Sequence, residues 1–201
     1  VALIITPKVY LTDAVQADLP HAGGLLAETR CADERVAAVF VQATVGNRTH
    51  KPEACRLRSC FWMKKGATVG MERGEARVPA AEAPASLLFS TSENPRLWSP
   101  DHPALYTFGL RITNENGEED TYEDDGIRFA QITEQGFSLN GKPLKLWGVN
   151  RHQQYPYIGL AASNEAQRRE ARLLKSMGIN AVRLSHYPQS PAFLDECDRQ
   201  G

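Results

Sequence analysis

The sequence predicts a mainly β chain with an α/β tail: an immunoglobulin-like β-sandwich over residues 1–135, then a strand–helix–strand–helix unit over 136–201. Three observations predict it. Before residue 136, short β-branched and aromatic runs are separated by Gly, Pro and Asn clusters, the spacing of sandwich strands and their turns. After it, strands alternate with helices, the order that builds a parallel sheet or barrel. The length, 201 residues with 42% hydrophobic ones, suits one to two domains that need no staples to fold.

In chain order, Val36–Val45 and Leu57–Met63 read as strands. The Ala- and Pro-rich stretch Val78–Ser86 reads as a surface loop. Tyr106, Phe108, Leu110 and Ile112 alternate with Thr107, Gly109, Arg111 and Thr113, which gives a third strand one buried and one wet face. Asn116-Gly117 signals a hairpin, because a type I′ turn needs positive φ at both central positions. The acidic runs Glu118–Asp120 and Glu123–Asp125 are placed in a sandwich loop, solvated rather than ligating a cation.

In the tail, Phe137–Leu144 is a second hairpin around Asn140-Gly141, and Leu144–Asn150 a strand with a polar end. Asn164 is read as a helix cap with Gln167 as its capping-box partner. That helix sets Ala171, Leu174 and Met177 on one side and stops at Gly178. Its Arg168, Arg169, Arg172 and Lys175 interleave with Glu165 and Glu170, the pattern of a solvated face rather than a nucleic-acid patch. Asn180–Leu184 is the next strand and Pro191–Arg199 the next helix.

Composition removes several classes. With 23 basic and 24 acidic residues the chain has a net charge of −1, which argues against nucleic acid or an anionic membrane as partner. No apolar run approaches the ~18 residues of a membrane span, and Val1–Ile5 lacks the basic flank of a signal peptide. Without an initiating Met, the native N-terminus is expected upstream. Four cysteines are too few for a disulfide scaffold, and the spacing of His50, Cys55 and Cys60 does not match a zinc site. Reduced thiols, as in a cytoplasm, are the expectation; a periplasmic or secreted origin stays open.

The chemistry-bearing residues gather at two strand ends. Asn150-Arg151-His152 closes the first tail strand and Arg183–Pro188 the second. In α/β architectures ligands bind at the carboxyl ends of strands, so two His and two Arg share one rim. Imidazole and guanidinium there suit a hydroxyl-rich or carboxylate-bearing ligand. The strings Leu146–His152, Asn180–Pro188 and Leu194–Gly201, with Asn94–Pro100, Pro103–Tyr106 and Gly126–Arg128 before them, resemble glycoside hydrolase family 2. Asn-Arg-His followed by Pro156 and Gly159 is closer to its β-galactosidases than to its β-glucuronidases, although Gln153 stands where the galactosidase pattern usually has an acid.

The resemblance implies that the tail is the first two βα units of a (β/α)8 barrel. It implies that His152 and His186 line the terminal-sugar subsite, that Arg183 orients the nucleophilic carboxylate, and that Asn150 and Arg151 support the first strand's end. A retaining glycosidase needs two carboxylates about 5–5.5 Å apart. The resemblance implies that these two carboxylates, both glutamates, come from later barrel strands, beyond Gly201; Asp195, Glu196 and Asp198 read as helix-surface groups away from the rim, so no catalytic residue is expected in this chain. The tail is also far short of the ~250 residues of a closed barrel. No cofactor or metal is expected in this chain; Mg or Na ions, where relatives need them, would be held by residues outside it. The expected partner is a carbohydrate, a β-galactoside, and a homo-oligomer is allowed. Two other readings are a β-glucuronidase and a non-catalytic sandwich module, for which Trp62 and Trp98 would be stacking platforms, although Trp98, in the Leu-Trp-Ser-Pro string, reads as core.

Overall fold

A computed structural model describes residues 3, 5–13, 23–33, 35–63, 68–80, 82–91, 94–115 and 117–201. The chain divides into two units, Val1–Pro95 with Tyr106–Asp125, and Arg96–Leu105 with Gly126–Gly201. The division is therefore interleaved, and the position 135/136 falls inside the second unit.

The first unit contains β1 (Val9–Leu11), β2 (Leu25–Ala32), β3 (Ala37–Asn47), β4 (Glu53–Met63), β5 (Thr68–Val78), β6 (Glu82–Thr91), β7 (Tyr106–Asn114) and β8 (Gly117–Asp125). One antiparallel sheet is built on β3, with β6 along one side and β2 then β1 along the other. The second sheet has the order β5-β4-β7-β8. Period-two alternation makes the core. Tyr106, Phe108, Leu110 and Ile112 are buried while Arg111 between them is exposed, as the sequence pattern predicts. Val9, Ala43 and Val45 from the first sheet meet Cys55, Leu57, Val78, Leu110 and Ile112 from the second in one buried cluster. Each large aliphatic side chain there contributes about 1.5–3 kcal/mol by leaving water.

Several elements differ from expectation. Val78–Ser86 is not a loop: Val78 ends β5, and β6 begins at Glu82 and pairs with β3. Pro84 is compatible with that pairing because β6 is an edge strand, where one missing N–H can face outward. The acidic runs are not in a loop either, since Glu118–Asp120 and Glu123–Asp125 lie in β8, opposite β7. The β7–β8 hairpin closes with Asn114 opposite Gly117, one residue earlier than the Asn-Gly dipeptide suggests; Asn116 itself lies outside the described residues. Cys55 points into the core, and Cys60, an odd number of residues along the same strand, does not share its face.

The second unit opens with a small antiparallel sheet, β9 (Ala130–Thr133), β10 (Gly136–Leu139) and β11 (Lys142–Pro143). Asn140 and Gly141 make its tight turn at φ 52° and 74°, the left-handed pair the Asn-Gly signal predicts. Next come β12 (Gly148–Arg151), α1 (Asn164–Ser176), β13 (Ala181–Leu184) and α2 (Pro191–Gln200). β12 and β13 pair in parallel, with Asn150 opposite Arg183 and Arg151 opposite Leu184. β12 starts at Gly148 rather than Leu144 because Trp147 and Lys145 are held by a side chain instead. Asn180 Oδ1 accepts from Trp147 N–H at 2.7 Å, and Asn180 Nδ2 donates to Lys145 O at 3.0 Å.

The α1 cap is Ser163, whose hydroxyl accepts from Ala166 N–H at 3.3 Å, so Asn164 is the first helical residue. Gln167 is not a capping-box partner; it is 1% exposed and turned inward. Ala171 is buried, but Met177 is 68% exposed and lies off the packed face. Gly178, at φ 79°, ends the helix as expected. Lys175 Nζ donates to Pro100 O at 2.7 Å and to Gly201 O, so this member of the basic face is not simply solvated. Trp98 is a packing residue: its Nε1–H donates to Asp198 O at 2.7 Å, and the Arg128 guanidinium stacks 5.0 Å from its ring. Among the described residues, no helix is long and apolar enough to cross a membrane.

Candidate active site

The parallel register of β12 and β13 sets Asn150 and Arg183 side by side on one face. Both are exposed. Arg183 Nη1 donates to Ser185 Oγ at 3.1 Å and lies 3.5 Å from Asn150 Oδ1. Among the described residues its guanidinium forms no ion pair with a carboxylate, and the side chain is exposed. Just past the strand ends, one residue beyond β12 and two beyond β13, the imidazoles meet: His152 and His186 are 5.3 Å apart, edge to face at 81°. Tyr187 completes the cluster at 6.4 Å from His152. Four of the five expected residues, Asn150, His152, Arg183 and His186, are thus brought together and exposed.

Arg151 is not among them. Strand alternation turns it to the opposite face, where it is 3% exposed against α1 and α2. Its Nη1 donates to Gln189 Oε1, its Nη2 to Gln167 Oε1 and to Glu170 Oε2 at 2.8 Å, and its guanidinium stacks 3.8 Å over the Phe193 ring. Glu170 balances the charge and also lies 3.1 Å from the Tyr155 hydroxyl, itself 2.9 Å from Ala166 O. Burial, then the Glu170 carboxylate, push that hydroxyl above the ordinary tyrosine value, which keeps it a donor. A guanidinium so enclosed anchors the strand to its helices, in keeping with support of the strand's end rather than a place on the exposed rim.

Two further residues link the rim loops and were not read from the sequence. Gln153 N–H donates to the Tyr187 hydroxyl at 3.0 Å, and Gln153 Oε1 accepts from Ser190 N–H at 2.5 Å. Gln189 Nε2 lies 3.4 Å from Tyr187 O and 3.5 Å from Ser185 O. Uncharged glutamines carry no motif signal; only the departure at Gln153 from the acid-bearing pattern marked that position.

The acids of α2 are away from the cluster, though Glu196 is no ordinary surface group. It is 5% exposed and pairs with Arg172 at 3.2 Å and Arg199 at 3.7 Å. Among the described residues, no group of three or more His, Cys, Asp or Glu is arranged to hold a metal ion.

Comparison with known proteins identifies the family. The model of "Glycosyl hydrolases family 2" matches residues 25–128, and that of "Glycosyl hydrolases family 2, TIM barrel domain" matches 130–201. The chain belongs to glycosyl hydrolases family 2. A β-galactosidase of Thermoanaerobacter pseudethanolicus is 47% identical over 112 residues, 54% of this chain and 15% of the relative. A crystal structure of a family 2 member from Bacteroides cellulosilyticus superposes with a TM-score of 0.80 at 31% identity, covering 89% of this chain and 23% of that one. The β-glucuronidase of Bacteroides uniformis gives 0.75 at 29%, over 89% and 22%. The chain therefore spans less than a quarter of each of these relatives.

Proposed function

We propose that these residues form an immunoglobulin-like sandwich and the first two βα units of a (β/α)8 barrel in an enzyme that hydrolyses β-glycosides, β-galactosides foremost, with retention. The observation that carries this reading is the exposed His152–His186 pair beside Arg183 and Asn150 at the carboxyl ends of adjacent parallel strands. Two imidazoles at right angles offer directed hydrogen bonds to the hydroxyls of one sugar ring. Arg183, with no acidic partner among the described residues, is suited to hold a carboxylate through charge-assisted bonds. In this reading that carboxylate is the nucleophile, supplied by a later strand of the barrel.

Retention requires a nucleophile and an acid/base about 5–5.5 Å apart. Glu170 is tied to Arg151 and Glu196 to Arg172, so neither is free to serve. The 201 residues alone are accordingly proposed to lack turnover. A second reading, β-glucuronide hydrolysis, is favoured by the same exposed Arg183, which could instead meet a uronate carboxylate, and by the likeness to a β-glucuronidase. Assays of the enzyme containing this chain with nitrophenyl β-galactoside and β-glucuronide separate the two. Faster cleavage of the galactoside, with the β-anomer released first, supports the proposal; cleavage of neither sugar overturns it.

A further inference from the structure

We infer that Gln153 is a positioning residue: it ties the two rim loops together and thereby holds His152 against His186. Arg151, His152 and Gln153 alternate in direction along the chain. Arg151 and Gln153 both reach the loop after β13, Arg151 to Gln189 and Gln153 to Ser190, while His152 between them meets His186. His152 is therefore held by a cross-loop bond on either side of it.

The second bond has a particular use at the start of α2. Ser190 is the N-cap residue, but its hydroxyl makes no capping bond, and Pro191 at the next position has no N–H. The Ser190 N–H is one of the donors that a helix start leaves without an intrahelical acceptor. Gln153 Oε1 accepts it from the neighbouring loop. Of the two ends of the glutamine amide only the oxygen accepts from an N–H, so the amide orientation is fixed by chemistry. The Gln153 backbone N–H adds a second tie through the Tyr187 hydroxyl, next to His186. A single side chain thus caps a helix and registers one histidine-bearing loop on the other.

This inference rests on the proposed sugar subsite for its consequence but not for its test. The isotope-labelled 201-residue chain is compared with Gln153→Ala, Gln153→Met and Gln153→Glu by the NOE between the His152 and His186 ring protons. Met keeps the side-chain length without an acceptor, and it decides the matter should the Ala variant fail to fold. Glu keeps an acceptor and places a negative charge at a helix N-terminus, where it is favoured. The expected result is a cross-peak reduced several-fold in Ala and Met, with core amide shifts unchanged, and restored in Glu. A full-strength cross-peak in folded Met variant, or a cross-peak lost equally in Glu, would overturn the inference. In the longer enzyme, Gln153→Met should lower kcat/KM by on the order of tenfold, with Glu restoring it. An enzyme without glycosidase activity would remove the sugar subsite and leave the NOE result standing.

Discussion

Replacing Arg151 by Met tests whether this arginine is an anchor and not a ligand contact. The substitution preserves an unbranched chain over Phe193 but removes the donors to Gln189, Gln167 and Glu170. Breaking a buried pair by removing one partner typically costs 3–5 kcal/mol. Two features place this case at the lower end. The Glu170 side chain is 25% exposed and can hydrate, and Arg151 Nε is already buried without a partner. A loss of about 3 kcal/mol is therefore expected. At roughly 4–8 °C per kcal/mol for a unit of this size, that is a fall of about 12–24 °C in the unfolding temperature of the second unit. Native-state hydrogen exchange read by mass spectrometry localises the effect, with protection lost in β12, α1 and α2 and kept in β3, β4 and β7. The exposed Asn150→Ala serves as control and should stay within ~0.5 kcal/mol. Unchanged protection in Arg151→Met would refute the anchor assignment.

Other consequences are direct. Trp98→Phe removes the bond to Asp198 O and should lower stability by about 1 kcal/mol, seen as an earlier denaturation midpoint. At Gly126 an added Cβ would lie 2.5 Å from the Trp98 side chain, so Gly126→Ala should cost roughly 1–3 kcal/mol in the same measurement. Burial, then Asp198, push the Cys197 thiol from 9.0 to about 11. Between those values the unfolded chain loses this proton while the folded one keeps it, so stability should fall as pH rises through the window. Cys197→Ala should flatten that part of the pH–stability curve. Iodoacetamide should accordingly label exposed Cys31 well before Cys197 or buried Cys55, whose thiol burial also raises; equal rates would contradict the burial assignment.

Much of the fold was legible because its signals are local. The alternation Tyr106–Thr113 and the Asn140-Gly141 turn each state their geometry within a few residues. β5 and β8 were not legible, since Glu72, Arg73, Glu75 and Arg77, or the six acids of 118–125, outweigh any apolar period in strands that form the edges of a sheet. β6 was hidden by Pro84, whose compatibility depends on which side of the strand is free. At the site, His152, His186, Arg183 and Asn150 were findable because strand ends collect ligand-facing groups. Arg151 fits its expected support of the strand end but not the shared rim, for a reason of parity: adjacent residues in a strand face opposite ways, and a motif read as a string does not show which way. Gln153, Gln167 and Gln189 reach across to partners 16–38 residues away, beyond any local pattern.

The central claim, that the histidine pair binds the reacting sugar, is tested most directly by His186→Phe in the enzyme that contains this chain. His186 is exposed and its ring contact is with exposed His152, so the fold should be unaffected, as circular dichroism and the unfolding temperature will show. Hydrogen bonds to sugar hydroxyls that strengthen in the transition state predict a fall in kcat/KM for nitrophenyl β-galactoside on the order of 10²-fold or more. A well-folded variant with unchanged kcat/KM would contradict the account.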